Sequence, residues 1–250
     1  MRIGTAGWTI ARDAAASFPG EGRHLARYAR VLGCAEINST FHRAHRPAVY
    51  GRWAAQTPPA FRFSAKLPRA ITHDLKLRGA RAPLERFVDE ARALGERLAV
   101  LLVQLPPSLA FEARPVRTFF DLAHRAFDGA LVCEPRHASW FTPVADRALA
   151  AAQVGRVATD PVRAAEAARP GGWLGPGADG AGAVVYHRWH GLPRTYWSRY
   201  DRDWIAARAA ELARWPAVAD VWCIFDNTAS GAAIANALEL RDALHRAAAA

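Results

Sequence analysis

One pattern constrains the fold of this 250-residue chain more than any other feature: a short apolar run, a polar turn and an amphipathic stretch, repeated along its length. The apolar runs are Arg2–Gly7, Ala35–Thr40, Phe61–Lys66, Ala99–Leu105, Ala130–Glu134, Arg156–Asp160, Ala183–Trp189 and Val221–Asp226, short enough to be strands. Helices are predicted over His24–Gly33, Pro47–Gln56, Pro83–Glu96, Pro115–Phe127, Pro143–Gln153, Asp201–Arg214 and Gly231–Arg246. Several open on proline, which fits a first helical turn because no N–H is needed there. Pro83–Glu96 sets Leu84, Phe87, Val88, Ala91 and Leu94 on one face. Strands alternating with helices form a parallel sheet, either doubly wound or closed. The count of eight and the chain length favour the closed form, an α/β fold with a single (β/α)₈ TIM-type barrel over residues 1–250. Residues 161–182, rich in Ala, Gly and Pro, are expected to be a long, partly mobile loop after strand six. A second loop, Gly191–Tyr200, carries Tyr196, Trp197 and Tyr200, which suit either a wall over a site or packing onto the barrel.

Strand parity then locates a site. Alternate residues of a barrel strand face the helices and the interior, and the last interior residue looks out at the C-terminal mouth. Glu36, Asn38 and Thr40 share one face, as do Arg62, Ser64 and Lys66. Gln104 is in phase with Leu102, Glu134 with Val132, Arg188 with Tyr186 and Asp226 with Ile224, while Asp160 ends the sixth run. Nearly every strand thus ends in a polar or charged group. Burying such groups without partners costs several kcal/mol each, so a purely structural core has no use for them. The active sites of such barrels lie at this face. A solvated salt-bridge network is the plainer alternative.

Composition narrows the function classes. No run approaches the roughly 18–20 apolar residues of a membrane helix, and the first residues read as a strand, not a signal peptide. A cytoplasmic protein with no membrane partner is expected. Cys34, Cys133 and Cys223 are too few and too widely spaced for a disulfide framework or a zinc site, and read as buried thiols. The formal charge of +10 admits nucleic acid as a partner, although the basic residues are spread along the helices. Only Lys66 and Lys76 are lysines among 33 basic side chains.

The candidate groups divide by chemistry. Glu134 is the expected general acid or base, pulled in opposite directions by burial and by Arg136 or Lys66. Lys66 reads as an electrostatic clamp, or as an amine nucleophile if desolvated. Arg136 and Arg188 suit bidentate binding of carboxylate or phosphate. His137, His187 and His190 are candidate proton carriers, and Trp140 and the Tyr196–Tyr200 loop are candidate stacking surfaces. Glu36, Glu134, Asp160, His187 and Asp226 form a conceivable divalent-metal set, disfavoured by the neighbouring cations; no cofactor is predicted. No Gly-rich phosphate loop, serine elbow or dinucleotide fingerprint is present.

The ordered motifs GTAGW (4–8), EINSTFHR (36–43), FSAKLPRAITHD (63–74), LLVQLPPSL (101–109), EPRHASW (134–140), TDP (159–161), YHRWHG (186–191) and FDNTASGAAIANA (225–237) closely resemble the YecE-like family, a domain of unknown function. The resemblance covers almost the whole chain and implies a TIM-type barrel, but supplies no reaction. It carries over onto Glu36, Asn38, Phe41, Lys66, Gln104, Glu134, Arg136, His137, Trp140, Asp160, Tyr186, Arg188, His190, Tyr196, Tyr200 and Asn227. Two positions depart from it: His42 stands where Tyr is usual, and Asp226 where Asn is common. The leading expectation is an enzyme acting on a small anionic ligand, phosphorylated or nucleotide-like. Arg136, Arg188 and Lys66 would hold the anion, and Glu134 would move protons with His137 or His190. A nucleic-acid binding or processing protein and a non-catalytic ligand-binding module are the alternatives.

Overall fold

The computed structural model describes residues 1–162, 164–176 and 182–249. Its strands are β1 (Arg2–Ala6), β2 (Cys34–Ile37), β3 (Arg62–Lys66), β4 (Leu98–Gln104), β5 (Ala130–Glu134), β6 (Val154–Arg156), β7 (Ala158–Asp160), β8 (Gly171–Gly172), β9 (Val184–Trp189) and β10 (Asp220–Phe225). They form one sheet in the order β7-β9-β10-β1-β2-β3-β4-β5-β6-β8, parallel except for the β6–β8 pair. The sixth strand expected from the sequence, Arg156–Asp160, covers β7 and only the last residue of β6; the strand begins two residues earlier and is divided in two. The first half pairs with β5 and the second with β9, so this one strand joins the two ends of the sheet into an eight-position, nearly closed TIM-type barrel.

The split follows the strand's change of partner. Between the halves, the Val157 N–H donates to the Cys133 carbonyl at 2.8 Å, and beyond it the strand turns from β5 to β9. A side chain at Gly155 would put its Cβ 3.1 Å from the Val184 carbonyl oxygen, so the backbones approach closely at the seam. The antiparallel β8 covers the remaining edge of β6. This edge would otherwise offer unpaired backbone groups.

The helices are α1 (His24–Tyr28), α2 (Pro47–Ala55), α3 (Arg81–Ala91), α4 (Ala113–Ala126), α5 (Pro143–Ala151), α6 (Arg202–Leu212) and α7 (Ala232–Ala249). Side-chain caps mark two starts: Thr142 accepts from the Ala145 N–H at 3.3 Å, and Asp201 from the Trp204 N–H at 2.8 Å. Two helices, expected over His24–Gly33 and Pro83–Glu96, end well short of those bounds. α1 stops at Tyr28, whose hydroxyl accepts from the Thr5 N–H and donates to the Cys34 carbonyl, tying the chain to β1 and β2. α3 gives way to a 3₁₀ segment, Arg92–Arg97, in which Gly95 takes a φ of 58°. The long loop after strand six contains a 3₁₀ turn, Ala165–Ala168, and β8; its residues 163 and 177–181 lie outside the described residues.

Parity sorts the core into two layers. One apolar cluster lies between strands and helices and includes Ile37, Phe63, Leu101, Val103, Leu131, Val185, Val221 and Phe225. The other fills the barrel interior: Cys34, Val100, Leu102, Val132, Val157, Tyr186, Trp222 and Ile224. All three cysteines are buried free thiols. Among the described residues, no helix is long and apolar enough to cross a membrane.

Candidate functional site at the barrel mouth

Directly above the apolar interior, the next in-facing residue of each of five strands or strand ends is charged. Glu36 ends the interior row of β2, Lys66 that of β3, Glu134 that of β5 and Arg188 that of β9, while Asp226 follows β10. Arg188 stands at the centre and is fully buried. Its Nε donates to Glu36 Oε2 at 2.8 Å, and Nη2 to Glu36 Oε1 and Asp226 Oδ2, both at 2.7 Å. Nη1 donates to Glu134 Oε2 and lies 3.0 Å from His190 Nε2. These contacts use all five N–H groups of the guanidinium. Arg136 grips the other Glu134 oxygen through Nε at 2.6 Å and meets His190 Nε2 at 3.1 Å through Nη2. Below them, Ser64 and Tyr186 share a hydrogen bond of 2.6 Å, and the Tyr186 hydroxyl donates to Glu36 at 3.1 Å.

The cluster is balanced, with Arg188, Arg136 and Lys66 facing Glu36, Glu134 and Asp226. Buried charges of this kind persist only when each is paired and hydrogen-bonded. Their proton affinities diverge accordingly. Burial would raise the Glu134 carboxyl, but Arg188 and Arg136 outweigh it and hold the group well below the usual range. Asp226 is also buried, and there burial prevails over Arg188, raising it to about 6. Burial, reinforced by Arg188, lowers the Lys66 amine to about 8. Burial lowers His190 to about 3 despite nearby Glu134. A neutral His190 also fits its contacts: both arginines donate to Nε2, and Nδ1 lies 3.2 Å from the Asp160 carbonyl, which takes the ring proton.

Lys66 is different from the other charged groups. It makes no ion pair among the described residues, and its Nζ lies 4.2 Å from the centre of the Phe41 ring. Phe41 follows Thr40 in the 3₁₀ turn Ser39–Phe41, where the Thr40 hydroxyl lies 2.8 Å from the Ile37 carbonyl and 2.6 Å from the Lys66 carbonyl and gives its one proton to either. Asp226 Oδ1 and Arg136 Nη1 likewise make no hydrogen bond among the described residues. These three atoms are the unengaged polar atoms of the network.

The profile of the family described as "Protein of unknown function DUF72" matches residues 2–250. The chain belongs to the DUF72 family. It is 32% identical over 152 residues to the UPF0759 protein YecE of Escherichia coli K12, a match covering 58% of this chain and 55% of that protein. The aligned part therefore spans about half the length of that relative. A crystal structure of a DUF72 family protein from Thermotoga maritima superposes with a TM-score of 0.75 at 22% identity, covering 98% of both chains. A xylose isomerase-like TIM barrel/4-hydroxyphenylpyruvate dioxygenase fusion protein gives a TM-score of 0.50 at 14% identity, with 88% of this chain and 39% of that one covered. At these identities the structural likenesses speak to the fold alone.

In this DUF72 member, the residues singled out by sequence fall into three groups. Glu36, Lys66, Glu134, Arg136, Tyr186, Arg188, His190 and Asp226 come together in the network. Asn38, Phe41, Gln104 and Tyr196 stand around it. The Asn38 Oδ1 is buried with no partner among the described residues, and Gln104 turns its amide to the Leu105 carbonyl at 3.1 Å. Tyr196 is 45% exposed and sets its ring edge-on to His190, with centroids 5.5 Å apart. The third group serves packing. Trp140 is fully buried against Phe111, and its indole N–H donates to Leu109, so it offers no stacking face. Tyr200 stacks on Trp204 and donates to Asp160 Oδ1 at 2.8 Å, which occupies both Tyr200 and Asp160 in anchoring the loop after β9. Asn227 bonds Ser198 and Asn236.

Three expected roles change on this geometry. Arg188 cannot clamp an anion, because every N–H it has is already taken. Glu134 is held ionised by two arginines, so the groups placed to exchange protons near neutrality are Asp226 and Lys66. His137 bonds Ser139 at 2.9 Å and does not engage Glu134. The metal set also dissolves: His187 packs beside Trp189 in the helix-facing layer, and the carboxylates converge on a guanidinium. One neighbour went unnoticed in the sequence. His73, in a π-type turn over Ala70–Asp74, packs 4.9 Å from Phe41, and burial and Arg69 lower its pKa. Only its place in the FSAKLPRAITHD motif hinted at it.

Proposed function

We propose that the mouth binds a small anionic compound and transfers a proton on it. Lys66 Nζ and Arg136 Nη1 contact the anion, and Asp226 Oδ1 carries the proton. Arg188 fixes the three carboxylates, and Tyr196 and Phe41 border the ligand. The observation that carries this reading is that two cationic groups keep donors free of carboxylates at the open end of an otherwise saturated network. Desolvated walls strengthen such contacts.

The test is thermal unfolding with inorganic phosphate and a panel of phosphorylated and carboxylated metabolites. A ligand at a hundredfold excess over its Kd stabilises by about 2.7 kcal/mol. In a chain of this size that raises Tm by roughly 5–10 °C. Lys66→Met should abolish the shift. If no anion moves the wild-type Tm, the reading fails. Turnover of a binding compound separates an enzyme from a non-catalytic binding module.

A second reading rests on the exposed Trp197, under whose ring the Arg194 guanidinium sits at 4.6 Å, beside the half-exposed Tyr196. Such a pair suits stacking on a nucleic-acid base. It predicts oligonucleotide binding that weakens steeply with salt, and Trp197→Ala should reduce it.

A further inference from the structure

We infer that Lys66 is a covalent site, an amine that forms an imine with the carbonyl carbon of a small anionic aldehyde or ketone. This rests on the anion site proposed above and names its substrate class.

The choice of residue is the first reason. The chain uses arginine for all but two of its 33 basic side chains, yet it places a lysine in the barrel interior. A guanidinium supplies charge and bidentate hydrogen bonds better than an ammonium does, but it stays protonated and forms no imine. At a position needing only positive charge, arginine would match the rest of the molecule.

The setting is the second reason. Lys66 is 8% exposed and shares the mouth with Glu36, Glu134 and Asp226, yet none of them forms an ion pair with it. Its neighbour is the face of Phe41. An ammonium locked to a carboxylate is a poor nucleophile, whereas a desolvated amine beside an aromatic ring and near a second cation is a good one. Burial and Arg188 act in that direction, lowering the amine to about 8. The remaining Arg136 donor can hold the anionic end of the compound while the carbonyl faces Nζ.

The step balances without a further reactant. The free amine attacks the carbonyl carbon, the C=O pair moves to oxygen, and a carbinolamine forms. Its hydroxyl leaves as water after taking a proton, for which Asp226 Oδ1 is the carrier, and a protonated imine remains. Counted from the ammonium form of Lys66, ammonium plus carbonyl gives iminium plus water. Its positive charge replaces that of the ammonium, so the balance of the network is kept.

The composition makes the test clean, because the sequence carries only two lysines, Lys66 and Lys76, beside the α-amino group of the chain tested. The protein is incubated with sodium cyanoborohydride and, separately, glyoxylate, glycolaldehyde phosphate or neutral glycolaldehyde. Each amine is then quantified by peptide mass. At least one anionic probe should label Lys66 about tenfold or more faster than the exposed Lys76, as expected for an activated amine. Whether glyoxylate or glycolaldehyde phosphate reacts faster tells a carboxylate from a phosphate terminus. Inorganic phosphate should slow labelling at Lys66 and leave Lys76 unchanged. Arg136→Gln should remove the advantage of the anionic probes over neutral glycolaldehyde. Labelling confined to Lys76 and the terminus, or equal rates at both lysines, overturns the proposal. If phosphate still raises Tm in that case, the anion site stands and only the imine falls. If Lys66 labels selectively while neither phosphate nor the unreactive carboxylate acetate affects Tm or rate, the amine is reactive and the anion site falls.

Discussion

In the lower half of the barrel interior, Val100, Leu102, Val132, Val157, Trp222 and Ile224 fill the space with apolar side chains. One interior step further along the strands, Glu36, Lys66, Glu134, Arg188 and Asp226 fill it with charge. The same closed sheet holds both levels, and both are excluded from water. What differs is how each is satisfied. The lower level needs only volume and shape, so each side chain contributes by contact. The upper level needs donors matched to acceptors, and one arginine meets three carboxylates. Stability at the lower level is therefore spread over many residues. At the upper level it is concentrated in Arg188, and the atoms left over are available for chemistry.

The largest effect expected from this difference is at Arg188. Arg188→Met strands Glu36, Glu134 and Asp226 without their shared partner and should cost about 3–5 kcal/mol, read by urea unfolding. Arg188→Lys should rescue little, since one ammonium cannot reproduce five donors in a plane. At the lower level, Leu102→Ala should cost about 2–5 kcal/mol through lost burial and a cavity. A cost for Arg188→Met well below that for Leu102→Ala would break the contrast.

Next come the pH profiles. The Asp226 pKa rises from 3.8 to about 6 on folding, so the folded state holds its proton more tightly. Its contribution to stability therefore falls as pH rises from about 4 to about 6, by roughly 3 kcal/mol in all. Asp226→Asn should flatten that window and stabilise the protein at pH 7 by about 1–3 kcal/mol. Glu134 has the opposite sign. Its folded pKa is depressed, so its contribution is present above the unfolded value of 4.5 and is lost as pH falls below it. Glu134→Gln should remove that acid loss.

Lys66 has no ion pair to lose among the described residues, and its pKa falls on folding. Its charge therefore opposes folding below pH 8, and Lys66→Met should stabilise the protein at pH 7 by about 1–3 kcal/mol. Its folded pKa of about 8 lies below the unfolded 10.5, so wild-type stability should rise with pH between those values. The variant should lose that rise.

The barrel and the level of the charged network were legible because both follow from a period of two. Glu36, Lys66, Glu134, Arg188 and Asp226 could be assigned to one face without knowing any contact. Parity says which way a side chain points, not which of its atoms are already used. For that reason Arg188 looked like an anion clamp and Glu134 like a proton carrier, although each is saturated by the other and by its neighbours. Aromatic residues after strand ends were harder still. Trp140 and Tyr196 both sit in loops, but Trp140 is buried and Tyr196 half exposed, and no periodicity distinguishes them. The division of strand six at Val157 depends on both neighbouring strands, and such pairing leaves no local pattern.

The most direct measurement exploits the presence of only two lysines. In protein labelled with ¹³C and ¹⁵N at lysine, the Lys66 Cε signal, assigned by its loss in Lys66→Arg, can be followed by NMR through a pH titration with and without inorganic phosphate. A desolvated, unpaired amine at an anion site should titrate near 8, and phosphate should raise its pKa and shift its signal. A Lys66 signal that titrates like an ordinary lysine and ignores phosphate would contradict both the free amine and the anion site.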